Sequence, residues 1–224
     1  MNFKSPIFLS TFSIMSALAF ADDGFKPLFN GKNFEGWKQH SGTAEYRIEG
    51  DEIVGKTVSG TGNSFLCTEM SYGDFVLEFE FKVADGMNSG VQFRSEIAEK
   101  ELEREVAGKL KKFSADRVFG YQYEIDPSSR SYTGGVYDEA RRGWLFDLKE
   151  NEPARAAFLH KQWNKARIEC RGDHIQTWIN DVKAADLNDS MTPLGIIALQ
   201  VHGIAKDKQP GDEIRWRSIR IKQL

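Results

Sequence analysis

Cysteine is nearly absent: two residues, Cys67 and Cys170, in a chain of 224. That count and spacing exclude a zinc centre built on thiolates. The two sit inside apolar strand-like runs, "FLCTEM" and "ARIECRG". They are able to pair in an oxidising compartment, and are as easily buried and unpaired. An excess of one charge is also missing. The formal net charge is -3 with 28% charged residues, which gives a mixed surface and argues against nucleic acid or an anionic membrane as partner. No βαβ rhythm and no internal repeat is present, and no Gly-x-Ser-x-Gly elbow, phosphate loop or His-Glu-x-x-His helix occurs.

The single long apolar run lies at the start. Lys4 forms a short basic region, Ile7 to Phe20 are apolar apart from Ser and Thr, and "AFA" at Ala19–Ala21 precedes Asp22-Asp23. This is the pattern of a secretory signal peptide over residues 1–21. No cysteine stands at the cleavage point, so no lipid or membrane anchor is expected. The mature chain, 22–224, is expected to be one domain exported to the periplasm or beyond.

Alternation dominates the mature chain. In "DFVLEFEFKV", Phe75, Leu77, Phe79 and Phe81 fall on one side and Glu78, Glu80 and Lys82 on the other. "WNKARIECRGDHIQTWINDVKAAD" reads as three strands with tight turns at Gly172-Asp173 and Asn180-Asp181. "GIIALQVHG" and "EIRWRSIRIKQL" supply two late strands, the second expected beside the N-terminal one. The fold class is therefore all-β, a two-sheet antiparallel sandwich of jelly-roll type. One segment differs: Ile97, Leu102, Val106 and Leu110 in Ser95–Phe113 are spaced for an inserted amphipathic helix, a cover over a sheet edge or one wall of a cleft.

Strand parity then gathers polar groups. In "GYQYEIDP", Gln122, Glu124 and Asp126 oppose Tyr121, Tyr123 and Ile125; in "GVQFR", Arg94 opposes Phe93; in "IIALQVHG", Gln200 and His202 oppose Leu199 and Val201. If those strands are neighbours, Arg94, Glu124, Asp126 and His202 form a catalytic group on one sheet face. Gln122 and Gln200 would contact substrate there. The segment after Gly134-Gly135 would return Tyr137, Asp138, Arg141 and Trp144 as a substrate-binding wall. Plain structural readings stand beside these: an Arg94–Glu124 cross-strand ion pair, a satisfied His202 beside Gly203, a solvated Arg141-Arg142 loop, and Tyr137 and Trp144 as core. Ordinary glycoside hydrolysis needs two suitably spaced carboxylates. The strand motif Glu-x-Asp-x-x-Glu of jelly-roll endo-glucanases is incomplete here, with Ser129 at its third acidic place.

Six ordered blocks carry a resemblance over residues 25–224. "FKPLFNGKNFEGWK", "GDFVLEFEFKVADGMNSGVQFR", "GYQYEIDP", "TGGVYDEARRGWL", "QWNKARIECRGDHIQTWIND" and "GIIALQVHG", with the terminal "IRWRSIRIKQL", resemble the 3-keto-disaccharide hydrolase domain family. The resemblance implies a concanavalin-like sandwich acting on carbohydrates oxidised at C3. A C3 ketone acidifies the C2 proton, so one base and an enolate stabiliser suffice for elimination of the C1 substituent, with water added later. A divalent metal held by Glu124, Asp126 and His202 is one candidate stabiliser. The alternative reading is a non-catalytic carbohydrate-binding module.

Overall fold

The computed structural model describes residues 23–224; the signal-peptide reading of residues 1–21 lies outside them. Among the described residues, seventeen strands and one short helix succeed one another in chain order. The first seven are β1 (Lys26–Pro27), β2 (Trp37–Ser41), β3 (Glu45–Glu49), β4 (Glu52–Lys56), β5 (Ser64–Thr68), β6 (Phe75–Val83) and β7 (Ser89–Ile97). Then come β8 (Leu102–Val106), β9 (Lys109–Phe113), β10 (Val118–Ile125), β11 (Val136–Glu139), β12 (Gly143–Phe146) and α1 (Glu152–Ala157). The chain ends with β13 (Asn164–Arg171), β14 (His174–Ile179), β15 (Val182–Asn188), β16 (Ile196–Val201) and β17 (Glu213–Gln223).

Two large antiparallel sheets make the sandwich. One orders β15-β14-β13-β6-β17-β4-β3, with β1 added on β17; the other orders β12-β11-β10-β7-β16-β5-β2. Alternation in β6 buries Phe75, Leu77, Phe79, Phe81 and Val83 against Phe93, Tyr121 and Tyr123 of the facing sheet. The Phe79 and Tyr123 rings meet edge-on at 5.7 Å. Each such aromatic contributes on the order of 2 kcal/mol by leaving water. The expected turns form, with Asn180 and Asp181 both at positive φ, the geometry a two-residue hairpin demands. On the outer side of the first sheet, Glu78 bridges Arg167 and Arg220 at 2.7 Å each.

The expected helix over Ser95–Phe113 is not there. The segment carries β7 on to Ile97 and then forms the separate β8–β9 hairpin. Ala107 and Gly108, at φ +49° and +75°, make its turn, and glycine inside a helix would cost about 1 kcal/mol. Charges spaced for helical pairs serve equally well across strands: Glu103 faces Lys112, with their charges 2.6 Å apart. Val106 and Phe113 then close a small cluster with Ala98 and Phe119. The short helix α1, capped by the Asn151 side chain, carries no periodic apolar stripe and has no counterpart among the sequence expectations.

The hairpin is carried back over the second sheet. Register shifts occur between Phe119 and Tyr121 and between Ile196 and Ala198, with Arg94 at φ +43° and Gly120 at φ +136°. Such bulges bend a strand. Beyond the bend, Ile97 and Val118 pack on Phe65, Cys67, Ile196 and Ala198. Asp116 there accepts the Ser41 N–H at 2.7 Å and pairs with the His40 ring at 2.6 Å. Both cysteines are free and buried, on strands of different sheets, so the open question of their pairing resolves to two thiols. Among the described residues no helix is long and apolar enough to cross a membrane.

Candidate active site

β7 lies between β10 and β16, so the three polar rows are neighbours. Glu124 stands opposite Gly90 and Gln122 opposite Gln92; Gly90 stands opposite Gln200. The face is not wet: every residue of β10 is buried. A chain of amides crosses it. Ser95 Oγ donates to Gln92 Oε1 (2.7 Å), Gln92 Nε2 to Gln122 Oε1 (2.6 Å), and Gln122 Nε2 to Glu124 Oε2 (2.8 Å). Asn88 Nδ2 donates to the other Glu124 oxygen at 2.6 Å. Gly90 makes this possible, because a Cβ there would stand 2.5 Å from Gln122 Cδ.

Glu124 is 5% exposed. Burial pushes its carboxyl up to about 7, against the two amide donors. For Asp126 burial acts upward too, but the hydrogen bonds of Ser128 and Arg130 outweigh it and hold the group below the usual range. Its carboxylate accepts from Ser128 N, Arg130 Nε (2.7 Å) and Tyr132 N. Adjacent carboxyls with pKa values pushed apart are the usual arrangement of a base and an ionised companion.

Other expected members fall elsewhere. Arg94 does not join Glu124. The bulge reverses alternation, so Ser95 takes the amide-bearing face. The Arg94 guanidinium instead ties Gly73 O, Gly172 O and Asp74 at 2.7–2.8 Å. Asp138 and Arg141 do not form a wall either. β11 is a strand, and consecutive residues in a strand face opposite ways. Tyr137 pairs with Gln122, whereas Asp138 pairs with Tyr121 on the core side. There Asp138 accepts from Arg141 Nε (2.7 Å) and Arg142 Nε (2.5 Å), and Arg142 goes on to Asp189. This network anchors the sheet edge.

Alternation puts Glu139, absent from the sequence-derived candidates, on the Tyr137 face. Glu139 is 7% exposed and accepts from Arg117 Nη2 at 2.6 Å and Asn63 Nδ2 at 3.3 Å; burial pushes its carboxyl above the usual range. His202 is exposed and donates from Nδ1 to Gly203 O at 2.8 Å. It is near enough to Glu139 to act on that carboxyl, and among the described residues no hydrogen bond joins it to Glu124. Gln200 is fully buried, and neither polar atom of its side chain has a partner among the described residues.

Tyr137 and Trp144 do stand together, with ring centroids 5.3 Å apart, and Tyr132 meets Trp144 at 5.4 Å. Burial raises the Tyr137 phenol, as do the charges of Glu139 and Glu124, so it stays protonated and able to donate. Glu124, Asp126 and His202 do not suit a divalent cation. Asp126 already accepts from a guanidinium, and no group of three or more His, Cys, Asp or Glu able to hold a metal exists among the described residues. A groove of about 1040 Å³ lies on the outer side of the first sheet, lined by Trp178, Arg167 and Arg220. Its acids Glu78 and Glu80 are paired with guanidiniums.

Comparison with known proteins agrees in fold. A family model described as the 3-keto-alpha-glucoside-1,2-lyase-like domain matches residues 24–222. A 3-keto-disaccharide hydrolase of Bacteroides thetaiotaomicron is 24% identical over 90% of this chain and 79% of its own. A solved structure from Parabacteroides distasonis ATCC 8503, provisionally called a glycosyl hydrolase, is 18% identical. It covers 90% of this chain and 94% of its own at a TM-score of 0.59. A Bacillus subtilis protein with a galectin-like fold is 8% identical at the same TM-score, covering 89% and 94%.

Proposed function

The chain belongs to the 3-keto-alpha-glucoside-1,2-lyase-like family, and from that premise we propose that it cleaves the glycosidic bond of 3-keto-glycosides. The observation that carries the reading is Glu124: a buried carboxyl, held by two amides, whose pKa sits at about 7. A base for carbon acids works best near the ambient pH. Glu124 removes the C2 proton, and the electrons pass into the C3 carbonyl as an enolate. When that carbonyl reforms, a C1–C2 double bond appears and the C1 oxygen leaves, taking a proton as it goes. Water adding to C1, with a proton to C2, completes net hydrolysis. The protonated Tyr137 hydroxyl, on the same face, is the donor available to the enolate oxygen. Asp126 stays ionised and fixes the 126–133 turn. Export of the chain, read from residues 1–21, is part of the same proposal.

Incubation with a chemically prepared 3-keto-disaccharide tests the reading. Release of the leaving sugar is expected, falling at least about 100-fold in Glu124→Gln, the loss typical of a missing general base. No release above background from the folded protein, with or without added divalent metal, refutes it.

A further inference from the structure

The wall beside Glu124 presents guanidinium rather than open aromatic rings. Arg130 lies 5.1 Å from the Tyr132 ring centre and 5.3 Å from that of Trp144, while Tyr137 and Tyr132 meet Trp144 edge-on. A sugar stacking on Trp144 would have to displace Arg130. That guanidinium is fixed through one nitrogen only, Nε to Asp126 Oδ2 at 2.7 Å. Its side chain is 47% exposed, and its two terminal nitrogens have no hydrogen-bond partner among the described residues. Arg130 is also near enough to Glu124 for each charge to act on the other.

A second fork stands next to it. Arg155 of α1 donates from Nε to the Arg130 carbonyl at 3.1 Å and lies 6.0 Å from the same Tyr132 ring. The Ser131 hydroxyl donates to Arg155 O at 2.8 Å, locking turn and helix together. Two like charges are thus held against one ring with a single acid, Asp126, hydrogen-bonded to one of them. A stacked, pre-positioned guanidinium with a free edge is suited to bidentate binding of a carboxylate or sulfate. Resting on the hydrolase reading, we propose that the preferred substrates are acidic: glycosides bearing a carboxylate or sulfate group, which Arg130 and Arg155 grip at the mouth of the site.

The test measures binding calorimetrically for three disaccharides of matched size, one neutral, one containing a uronic acid and one sulfated. Wild type, Arg130→Gln and Arg155→Gln are compared, with thermal melts to show that each folds. Turnover of the neutral and uronate 3-keto derivatives is measured in parallel. The expected result is at least about tenfold tighter binding of one or both acidic sugars, weakening with salt, and a collapse of the acidic-to-neutral ratio in each variant. The uronate and sulfate arms identify which anion is meant. Equal affinity for neutral and acidic sugars overturns the inference, as does a preference untouched by both variants. Turnover of neutral 3-keto-disaccharide without any acidic preference overturns it while sparing the hydrolase reading. An acidic preference with no turnover of either derivative upholds the subsite and removes the hydrolase.

Discussion

Glu124 sets a pH dependence whose sign can be worked through. Its folded pKa, about 7, lies above the ordinary 4.5, so folding favours the protonated form. The associated stability is fully present below about 4.5 and is lost as pH rises through about 7, a difference on the order of 3 kcal/mol. Denaturant titrations should therefore show wild type losing more stability than Glu124→Gln between about pH 5 and pH 8. An identical loss in both proteins contradicts the assignment. Catalysis runs the opposite way, because a base must be ionised: kcat/KM is expected to climb to a plateau above about pH 7. Activity and stability pulling apart at one carboxyl is the mark of a working site kept at a cost to the fold.

At the scale of elements, the β8–β9 hairpin stands apart from both main sheets. Its two strands pair only with each other. It is seated against the main body by its small cluster of Ala98, Val106, Phe113 and Phe119 and by Arg104, which pairs with Glu96 at 2.6 Å and lies over the Phe119 ring. Amide exchange is expected to be faster for residues 104–111 than for 121–124 in the centre of β10. Equal protection in the two segments counts against a loosely seated arm. The same segment is where the sequence is hardest to read. β6 and the β13–β14–β15 meander are legible, because one side is core and the other water, so alternation is unambiguous. In the hairpin both sides are polar or half-covered, and Glu–Lys spacing satisfies a helix and a cross-strand ladder alike. The site floor at Gln122 and Glu124 emerges from parity alone. Arg94 escapes because a bulge reverses parity, and Glu139 because its four-residue strand, flanked by glycines and charges, has the composition of a loop.

At the scale of the whole molecule, the sandwich is held by packing between sheets, with no covalent tie among the described residues. Cys67 and Cys170 are buried thiols, and burial pushes the pKa of both upward, which makes them poor nucleophiles. Iodoacetamide is expected to leave the native protein unlabelled and to modify both thiols only after unfolding, with a Tm indifferent to reductant. Labelling of the native state, or a melting point lowered by dithiothreitol, contradicts this. The division of the site between sheet centre and sheet edge also has a use. Glu124, Gln122 and Gln92 belong to inner strands β10 and β7, whereas Trp144 sits on edge strand β12 and Arg130 on the turn before β11. A combinatorial library confined to residues 128–132 and 143–146 would therefore leave the central strands untouched, and selection could redirect preference among sugars while the proton chemistry stays in place.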